Sequence, residues 1–428
     1  MILLISRDVF ASILLEYRRI KMICRSSFLN EAIARGLVYQ NTNLEALDKH
    51  LSTPGQYAYV GFDITARSLH VGHLLPILTM RLFQKHGHKP IILLGGGTTK
   101  VGDPSFKNTT RPMLSDEQIA DNLKGIRCCL DPFLEFGENK AVMLNNADWL
   151  CNLNYLDFLR EIGKYFSVNR MIGFDSVKAK LTENNSLSFL EFNYMTMQAY
   201  DFYHLFKEHG CRIQLGGQDQ WGNIICGVEL IRKKCDTEVF GLTNPLLTTS
   251  DGKKMGKTAN GAVWLTSDLL SDFDFWQYWR NVDDADVIKL MYLLSDLPVD
   301  EIKKMESIQG QELNEVKIML ADAATALVRG KNCLDEIHQS TTQIFNENNA
   351  DLSKIESLPR IKIDKTKSLI GALVESNLFN SDAKRLVRGN GVYVNGEPVD
   401  ESYEFNEKSG TLLKLSCGKK RNVILEII

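Results

Sequence analysis

The sequence lacks the regular cysteine spacing of a disulfide framework or a structural zinc site. Its 9 cysteines are odd in number, and no Cys-x-x-Cys motif occurs among them. Structural zinc sites and small secreted domains both depend on such spacing. The pattern therefore argues against both classes and favours a protein of a reducing compartment.

Long apolar runs and a strong excess of one charge are also missing. No run of about 18 apolar residues occurs, so we expect no membrane-spanning helix. The formal net charge is only -3, which does not mark the whole chain as a nucleic-acid-binding protein. Basic residues nevertheless outnumber acidic ones over residues 360–428. This local balance fits an RNA or phosphate contact as well as an ordinary solvated face.

What is present is the composition of a large globular protein. The 428 residues are 44% hydrophobic and 24% charged. At roughly 100–200 residues per domain, this length predicts two or three domains. We interpret residues 1–27 as an N-terminal extension from a mis-assigned start, with Met22 as the true first residue. A mitochondrial presequence is the alternative.

Short apolar runs next to glycines predict the strands of a parallel sheet. These runs are Tyr57–Asp63, Pro90–Leu94 and Cys211–Leu215. Residues 68–85 have helical periodicity, so the first two runs and this helix form a βαβ unit. A helical pattern over 114–209 interrupts the sheet. The fold class is therefore α/β, with a Rossmann-like parallel sheet and a helical insertion.

The other segments predict further helices and a small α+β region. Residues 28–50 have the spacing of one amphipathic helix, and residues 272–346 are helical throughout. The run Val392–Gly396 ends in the Asn-Gly pair that is typical of a hairpin turn. The predicted divisions are 1–27 (extension), 28–265 (α/β domain), 266–345 (helical domain), 346–360 (linker) and 361–428 (small α+β domain).

The tetrapeptide His70-Val71-Gly72-His73 stands where the first predicted strand gives way to a helix. A helix N-terminus presents free N–H groups and the positive end of the helix dipole, and both suit phosphate. Gly72 leaves room for a nucleotide on the backbone, and imidazoles three residues apart share a helix face. The pattern favours a nucleotide site. Two structural histidines at a loop are the alternative.

A second motif is the basic run Lys253-Lys254-Met255-Gly256-Lys257-Thr258. Lysine is a mobile point charge, and two lysines three positions apart in a glycine-containing loop can close over a triphosphate. Taken alone, the run fits a solvated basic turn as well.

Together the two motifs resemble the paired signatures of class I aminoacyl-tRNA synthetases, His-Ile-Gly-His followed by Lys-Met-Ser-Lys-Ser. Gly256 replaces the first serine of the second signature. Four further runs narrow the resemblance to bacterial-type tyrosyl-tRNA synthetases over residues 28–428. They are Tyr59–Ala66, Gly102–Ser105, Phe192–Asp201 and Gly216–Asn223.

The resemblance implies a tyrosine–tRNA ligase. Such an enzyme converts L-tyrosine and ATP to tyrosyl-adenylate and pyrophosphate, and then transfers tyrosine to the 3′ end of tRNA(Tyr). ATP with Mg²⁺ is implied as a substrate, without a tightly bound cofactor or a metal site of the protein. A homodimer without a membrane partner is also implied. We expect the bacterial cytoplasm, with the mitochondrial matrix as the alternative.

The resemblance assigns seven residues to the amino acid. Tyr59 and Asp201 are expected at the phenol hydroxyl, because telling tyrosine from phenylalanine requires a donor and an acceptor there. The others are Tyr194, Gln198 and Asp103 at the ammonium group, Gln220 at the carboxylate and Asn145 through a bridging water.

The resemblance also assigns the nucleotide site. The expected ATP-binding residues are Asp63, Thr65, His70, Gly72, His73, Gly217, Asp219 and Lys257. The expected catalytic residues are His70, His73, Lys254, Lys257, Thr258, Lys107 and Arg111. Because the reaction requires no protein nucleophile, positioning and electrostatics are expected to supply the rate.

The tail over 361–428 resembles the small RNA-binding fold of a ribosomal small-subunit protein. Its charges would hold phosphates rather than recognise bases, and a solvated helix is the alternative. The expected RNA-binding residues are Lys384, Arg385, Arg388, Lys419 and Lys420.

Three other functions stay open at this point. A tryptophan-specific relative would share the fold, but an indole N–H needs only an acceptor, which leaves Tyr59 unexplained. A nucleotidyltransferase could share the His70–His73 motif without needing a helical domain or a tail. A non-enzymatic RNA scaffold predicts erosion of the ATP residues, which are intact here.

Overall fold

The computed structural model describes residues 24–103, 114–182, 187–258, 261–346, 360–375, 383–389, 391–417 and 421–428. The chain divides into two compact units. The first is Met1–Thr266 with Asp283–Val316, and the second is Ser267–Val282 with Lys317–Ile428. The domain boundaries expected from the sequence stay predictions.

The first unit is built around a six-stranded sheet. Its strands are β1 (Gln40–Asn41), β2 (Tyr57–Phe62), β3 (Lys89–Leu94), β4 (Val142–Asn145), β5 (Ile213–Gly217) and β6 (Phe240–Asn244). Their order is β1-β6-β5-β2-β3-β4, and every neighbouring pair is parallel except β1 with β6. Residues 90–94 of β3 are all buried, as expected for a strand covered on both faces. The α/β prediction is confirmed.

Helices connect these strands. They are α1 (Ser27–Ala34), α2 (Leu44–Leu51), α3 (Leu74–Lys85), α4 (Asp116–Leu130), α5 (Ala147–Leu150), α6 (Tyr155–Glu161), α7 (Val168–Ile172), α8 (Asp175–Thr182), α9 (Phe189–His209) and α10 (Trp221–Cys235). The short strands β7 (Lys257–Thr258) and β8 (Gly261–Ala262) pair after β6. α9 is the longest of these helices, and a reciprocal cap between Ser188 and Glu191 begins it.

Two predictions about which helices and strands are present are wrong in this unit. The single helix expected over 28–50 is divided into α1 and α2. Gly36 adopts a φ of 75°, and the Asn43 side chain caps the second helix. The helical pattern over 114–209 contains strand β4, whose 4 residues are too few to disturb the periodicity of the segment.

The second unit combines helices with a five-stranded sheet. Its helices are α11 (Asp272–Arg280), most of α14 (Leu313–Arg329), α15 (Cys333–Asn346), α16 (Leu369–Glu375) and α17 (Ala383–Arg388). Its strands are β9 (Arg360–Ile363), β10 (Val392–Val394), β11 (Glu397–Pro398), β12 (Leu412–Cys417) and β13 (Arg421–Ile427). The sheet order is β11-β10-β12-β13-β9. Asn395 and Gly396 turn β10 into β11 with φ of 48° and 86°, which confirms the predicted hairpin.

The segment Asp283–Val316 belongs to the first unit. It contains α12 (Val287–Leu294) and α13 (Val299–Met305). Arg35 from just after α1 anchors it, because its guanidinium donates to the carbonyls of Tyr292, Ser295 and Leu297 at 3.3, 2.9 and 2.9 Å. α12 is therefore fixed to the α/β core through its C-terminal carbonyls.

Candidate active site

The reversal of strand order beside β2 locates the candidate site. β3 and β4 lie on one side of β2, and β5 and β6 lie on the other. Ligands of open α/β sheets bind in the crevice that such a reversal opens at the carboxyl ends of the strands. Asp63 follows β2 at this edge, and a 3₁₀ turn over Gln218–Gln220 follows β5.

Tyr59 of β2 and Asp201 of α9 are buried close to each other, being 1% and 2% exposed. Among the described residues, the Tyr59 hydroxyl has no hydrogen-bond partner. Burial and the nearby Asp201 charge raise the pKa of Tyr59 well above its usual range. Burial also raises the pKa of Asp201 to about 7. A buried hydroxyl without a partner costs about 1–3 kcal/mol, so the pair is suited to a ligand that completes its hydrogen bonds.

Two side chains hold the Asp201 carboxylate in place. Asn146 Nδ2 donates to Oδ2 at 2.9 Å, and the Trp149 indole N–H donates to Oδ1 at 2.7 Å. The His204 ring stacks on Trp149 at a centroid distance of 4.2 Å. None of these three residues is among those expected from the sequence. The sequence did offer one signal for Asn146, which is the Asn-Asn pair at the end of β4. The resemblance assigned a role only to the first asparagine of that pair.

The side-chain oxygen of that first asparagine, Asn145, already accepts hydrogen bonds from the backbone. Its Oδ1 accepts from the N–H groups of Gly96 and Ala147 at 3.1 and 3.0 Å. A Cβ on Gly96 would lie 2.4 Å from the same oxygen, so the loop after β3 needs glycine there. The described contacts of Asn145 thus shape the loop, and its expected water-mediated role stays a prediction.

A chain of hydrogen bonds joins three of the predicted residues. Gln220 Nε2 donates to Asp103 Oδ2 at 2.8 Å. Asn223 Nδ2 donates to the side-chain oxygens of both Gln220 and Gln198 at 3.0 Å. Asn223 is 2% exposed and was not predicted, although it ends one of the runs that carried the resemblance. It fixes the orientation of both glutamine amides.

Tyr194 and Asp63 connect the two halves of the site. The Tyr194 hydroxyl donates to Asp63 Oδ1 at 3.0 Å, and Thr98 Oγ1 donates to the same oxygen at 3.2 Å. Asp63 was expected on the nucleotide side and Tyr194 at the amino-acid ammonium group. Thr65, two residues beyond Asp63, is exposed.

The His-Gly-His motif forms a 3₁₀ turn, Val71–His73, in front of α3. The helix therefore begins later than predicted. His73 Nδ1 accepts from the His70 N–H at 3.2 Å, and His70 Nδ1 accepts from the Gly72 N–H at 3.1 Å. Because Nδ1 accepts in both rings, each neutral ring carries its proton on Nε2. Both histidines are thus prepared to donate from Nε2.

The second motif lies against the first. Gly256 has a φ of 111°, and a Cβ there would lie 3.1 Å from Gly72 N and 3.3 Å from His70 Nδ1. The Val71 N–H donates to Val263 O at 2.9 Å, and the Val263 N–H donates to Gly256 O at 3.0 Å. Glycine in place of the usual serine therefore allows close approach of the two motifs.

Gly217 and Asp219 shape the carboxyl end of β5. A Cβ on Gly217 would lie 2.6 Å from Asp219 Oδ1, so a side chain at 217 would displace that carboxylate. Both residues are partly exposed at the edge of the sheet. This location agrees with the expected ribose contact, which stays a prediction.

The structure describes the basic residues unevenly. Lys254 is exposed, and Lys257 and Thr258 form β7. Arg385 and Arg388 are exposed on α17, where Arg388 Nε donates to Glu401 Oε1 at 2.9 Å. Outside the described part of the chain lie Lys107, Arg111, Lys419 and Lys420, as well as the side chains of Lys257, Thr258 and Lys384.

The described residues contain neither a metal-binding cluster nor a membrane-spanning helix. No group of three or more His, Cys, Asp and Glu side chains in these segments is placed to hold a metal ion. Within the same segments, no helix has both the length and the apolar character needed to cross a lipid bilayer.

Comparison with known proteins shows which family this chain resembles. Residues 55–346 match the family described as tRNA synthetases class I (W and Y). A tyrosine–tRNA ligase of Cereibacter sphaeroides is 48% identical over 410 residues, covering 94% of this chain and 99% of that protein. A tyrosine–tRNA ligase of Zymomonas mobilis is 47% identical over 407 residues, covering 94% of this chain and 98% of that protein.

A solved structure agrees with these relatives. It is a C-terminally truncated mitochondrial tyrosyl-tRNA synthetase of Aspergillus nidulans, with a TM-score of 0.67 and 28% identity. The match covers 79% of this chain and 100% of the other.

Proposed function

This chain belongs to the class I tRNA synthetases of the tryptophan and tyrosine group, and on that basis we propose how its residues work. Its activity is that of a bacterial-type tyrosine–tRNA ligase, EC 6.1.1.1. Tyrosine and ATP give tyrosyl-adenylate and pyrophosphate, and tyrosine then passes to tRNA. The residue roles, the homodimer and the location in the cell are our proposals.

The observation that carries the choice of tyrosine is the buried Tyr59 hydroxyl beside Asp201. In our proposal, Tyr59 donates to the substrate phenol oxygen and Asp201 accepts the phenol proton. Phenylalanine would leave both groups unpaired. Sites of this kind reject such an analogue by about 10⁴–10⁵, and tyrosyl-tRNA synthetases are themselves the enzymes for which that magnitude was established. Tryptophan would leave the Tyr59 donor unused.

The polar chain from Asp103 to Gln198 faces the other end of the amino acid in this proposal. Asp103, Tyr194 and Gln198 supply acceptors for the ammonium group. Gln220 contacts the substrate carboxylate, and Asn223 keeps both glutamine amides oriented. Because Asp103, Gln220, Asn223 and Gln198 are already hydrogen-bonded in a chain, little ordering is needed when tyrosine binds.

Magnesium ATP is the second substrate in this proposal. Thr65, Gly217 and Asp219 lie at the edge where the nucleoside would bind, and Gly72 leaves the phosphates room on the backbone. His70 and His73 donate from Nε2 to phosphate oxygens. A carboxylate oxygen of tyrosine attacks the α-phosphorus, and the bond to the pyrophosphate oxygen breaks. The charge that develops on the pyrophosphate is stabilised by Lys254, Lys257, Thr258, Lys107 and Arg111.

Transfer to tRNA completes the cycle. A hydroxyl at the 3′ end of tRNA(Tyr) attacks the carbonyl carbon of the adenylate, and AMP leaves. We assign residues 266–345 to the anticodon side and residues 361–428 to RNA binding. The proposed phosphate contacts of the tail are Lys384, Arg385, Arg388, Lys419 and Lys420.

A homodimer is the proposed assembly. Exposed apolar side chains on the insertion support it, because Tyr155 and Leu156 of α6, Val168 of α7 and Phe189 of α9 are 57%, 74%, 57% and 68% exposed. Burial of such side chains against a second copy of the chain would remove apolar surface from water. Sedimentation velocity tests this proposal, and a monomer at all concentrations would contradict it.

We place the protein in a bacterial cytoplasm, because the two relatives named above that are 48% and 47% identical to this chain are bacterial. The mitochondrial matrix is the alternative. N-terminal sequencing of the protein from its native host separates the two, because a chain that begins at Met22 fits a mis-assigned start, whereas a chain that begins at another residue after cleavage fits a presequence.

The experiment that tests the function is amino-acid-dependent ATP–pyrophosphate exchange without RNA, with each of the twenty amino acids in turn. We expect exchange with tyrosine alone. Exchange with tryptophan would keep the family and contradict the assignment of Tyr59 and Asp201. Folded protein that exchanges with no amino acid would contradict the proposed mechanism.

A further inference from the structure

The basic motif is part of a short hairpin, residues 247–255, which we call the lysine hairpin. The Met255 N–H donates to Leu247 O at 2.8 Å, and the Thr249 N–H donates to Lys253 O at 2.9 Å. Gly252, with a φ of 83°, reverses the chain between the two arms. The second arm carries Lys254 and leads through Gly256 to Lys257.

Two side chains at the start of α12 hold the first arm. Lys289 Nζ donates to Thr248 O at 2.9 Å and to Thr248 Oγ1 at 3.4 Å. Asp286 Oδ2 accepts from the Ser250 N–H at 3.0 Å. Residues three apart share one side of a helix, so α12 presents a cation and an anion together to the backbone of the hairpin.

These contacts differ from the usual surface ion pairs of the same segment. Asp286 is 2% exposed and Lys289 is half-buried. Burial lowers the pKa of Lys289, and the Asp286 charge opposes that change. By contrast, the Lys303 and Asp300 side chains, 2.9 Å apart on α13, are 58% and 87% exposed. Buried charges persist only where hydrogen bonds or opposite charges compensate them, and here the hairpin backbone supplies those bonds.

The lysine hairpin is thus fixed on one arm and exposed on the other. Asp251 and Lys253 at its tip form a 2.6 Å ion pair that is largely in solvent. α12 is itself anchored by Arg35 through the carbonyls of Tyr292 and Ser295. A series of hydrogen bonds therefore leads from Arg35 through α12 to the first arm of the hairpin.

We propose that Asp286 and Lys289 are positioning residues for tyrosine activation, an inference that rests on the proposed function. They hold the first arm so that the second arm brings Lys254 and Lys257 to the leaving pyrophosphate. They touch neither substrate. Their loss acts through the lysines, and a displacement of about 1 Å in such a group can cost about 100-fold in rate.

The test compares Lys289→Met with Lys289→Arg in the full chain. We expect Lys289→Met to lower kcat for tyrosine-dependent pyrophosphate exchange about tenfold or more, because a charged hydrogen bond to the hairpin is lost. Tyrosine affinity, measured by equilibrium dialysis, should stay within about twofold, since the tyrosine pocket is separate. Lys289→Arg, which keeps the positive charge, should retain most of the wild-type kcat. Lys303→Ala on α13 is the matched control and should behave as wild type.

A double-mutant cycle separates positioning from general destabilisation. In a background that carries both Lys254→Ala and Lys257→Ala, Lys289→Met should have a much smaller effect than in wild type, because both groups that it positions are gone. Full additivity would overturn the proposal. So would an unchanged kcat in Lys289→Met, or a parallel loss of tyrosine affinity and kcat. If wild-type protein itself shows no exchange, the proposed function fails instead.

Discussion

At the proposed tyrosine end of the site, Tyr59 and Asp201 are 1% and 2% exposed, and Asn146 and Trp149 fix both oxygens of the Asp201 carboxylate. At the proposed phosphate end, Lys254 is exposed on a hairpin whose tip lies in solvent. The first arrangement suits recognition of one hydroxyl. A substrate that lacks this hydroxyl would leave buried polar groups without hydrogen bonds, and that loss weakens its binding. The second suits pyrophosphate, which must be held in the transition state and then released.

The largest effect should come from the buried end. Asp201→Ala removes the proposed acceptor and leaves Asn146 and Trp149 without their partner. We expect kcat/KM for tyrosine to fall about 10³-fold or more, since buried charged hydrogen bonds are lost. Steady-state pyrophosphate exchange measures it. Asp148→Ala, at an exposed aspartate of α5, is the control, and an equal loss there would remove the distinction between buried and exposed carboxylates.

Removal of a lysine side chain at the proposed phosphate end should affect the reaction rate rather than tyrosine affinity. Lys257→Ala should cut the rate of adenylate formation about 100-fold, because one stabiliser of the developing charge is missing. Tyrosine affinity should be nearly unchanged. Single-turnover adenylate formation and equilibrium dialysis measure the two quantities. Lys253→Ala, which removes the surface ion pair with Asp251, should have little effect on either. Equal loss of tyrosine affinity in Lys257→Ala would show that the two ends are not separable.

The pH dependence of tyrosine affinity should come from the buried carboxyl group of Asp201. Burial raises the pKa of Asp201 to about 7, so the carboxylate that we propose accepts the phenol proton is ionised above that pH and protonated below it. Tyrosine affinity should therefore weaken about tenfold per pH unit as the pH falls below about 7. Equilibrium dialysis from pH 8 to pH 5.5 measures the slope. Asp201→Asn should bind more weakly and lose the slope, and a slope retained in this variant would assign it to another group.

The smallest effect should appear where the two motifs meet. Gly256→Ser places a side chain at a φ of 111° and a Cβ 3.1 Å from Gly72 N. Strain of this kind costs about 1–3 kcal/mol, and we expect roughly a five- to tenfold fall in kcat/KM for ATP. Exchange kinetics at saturating tyrosine measure it. Unchanged kinetics would mean that the serine of the family signature fits here with a different backbone.

Prediction from the sequence was strongest where a residue type is tied to local backbone geometry. The Asn395-Gly396 turn and the apolar run of β3 are both local patterns. The division of 28–50 into two helices was missed, because one Gly and one cap are weak signals inside an otherwise continuous periodicity.

The contacts of the site were beyond such patterns. Asn146 and Trp149 reach Asp201 across more than 50 residues of sequence, and Asn223 reaches Gln198 from another helix. Which of two adjacent asparagines faces inward depends on where β4 ends against β3, and composition does not encode that register.

The sequence by itself determined the α/β class, and it predicted the two motifs and the side chains proposed to distinguish tyrosine, because these depend on residue type and local order. Only the tertiary structure decided which groups hydrogen-bond to Asp201 and how closely Gly256 approaches Gly72. It also decided that Asp286 and Lys289 hydrogen-bond to the lysine hairpin. Those contacts join residues far apart in the chain, and their geometry exists only after the sheet and its helices have packed.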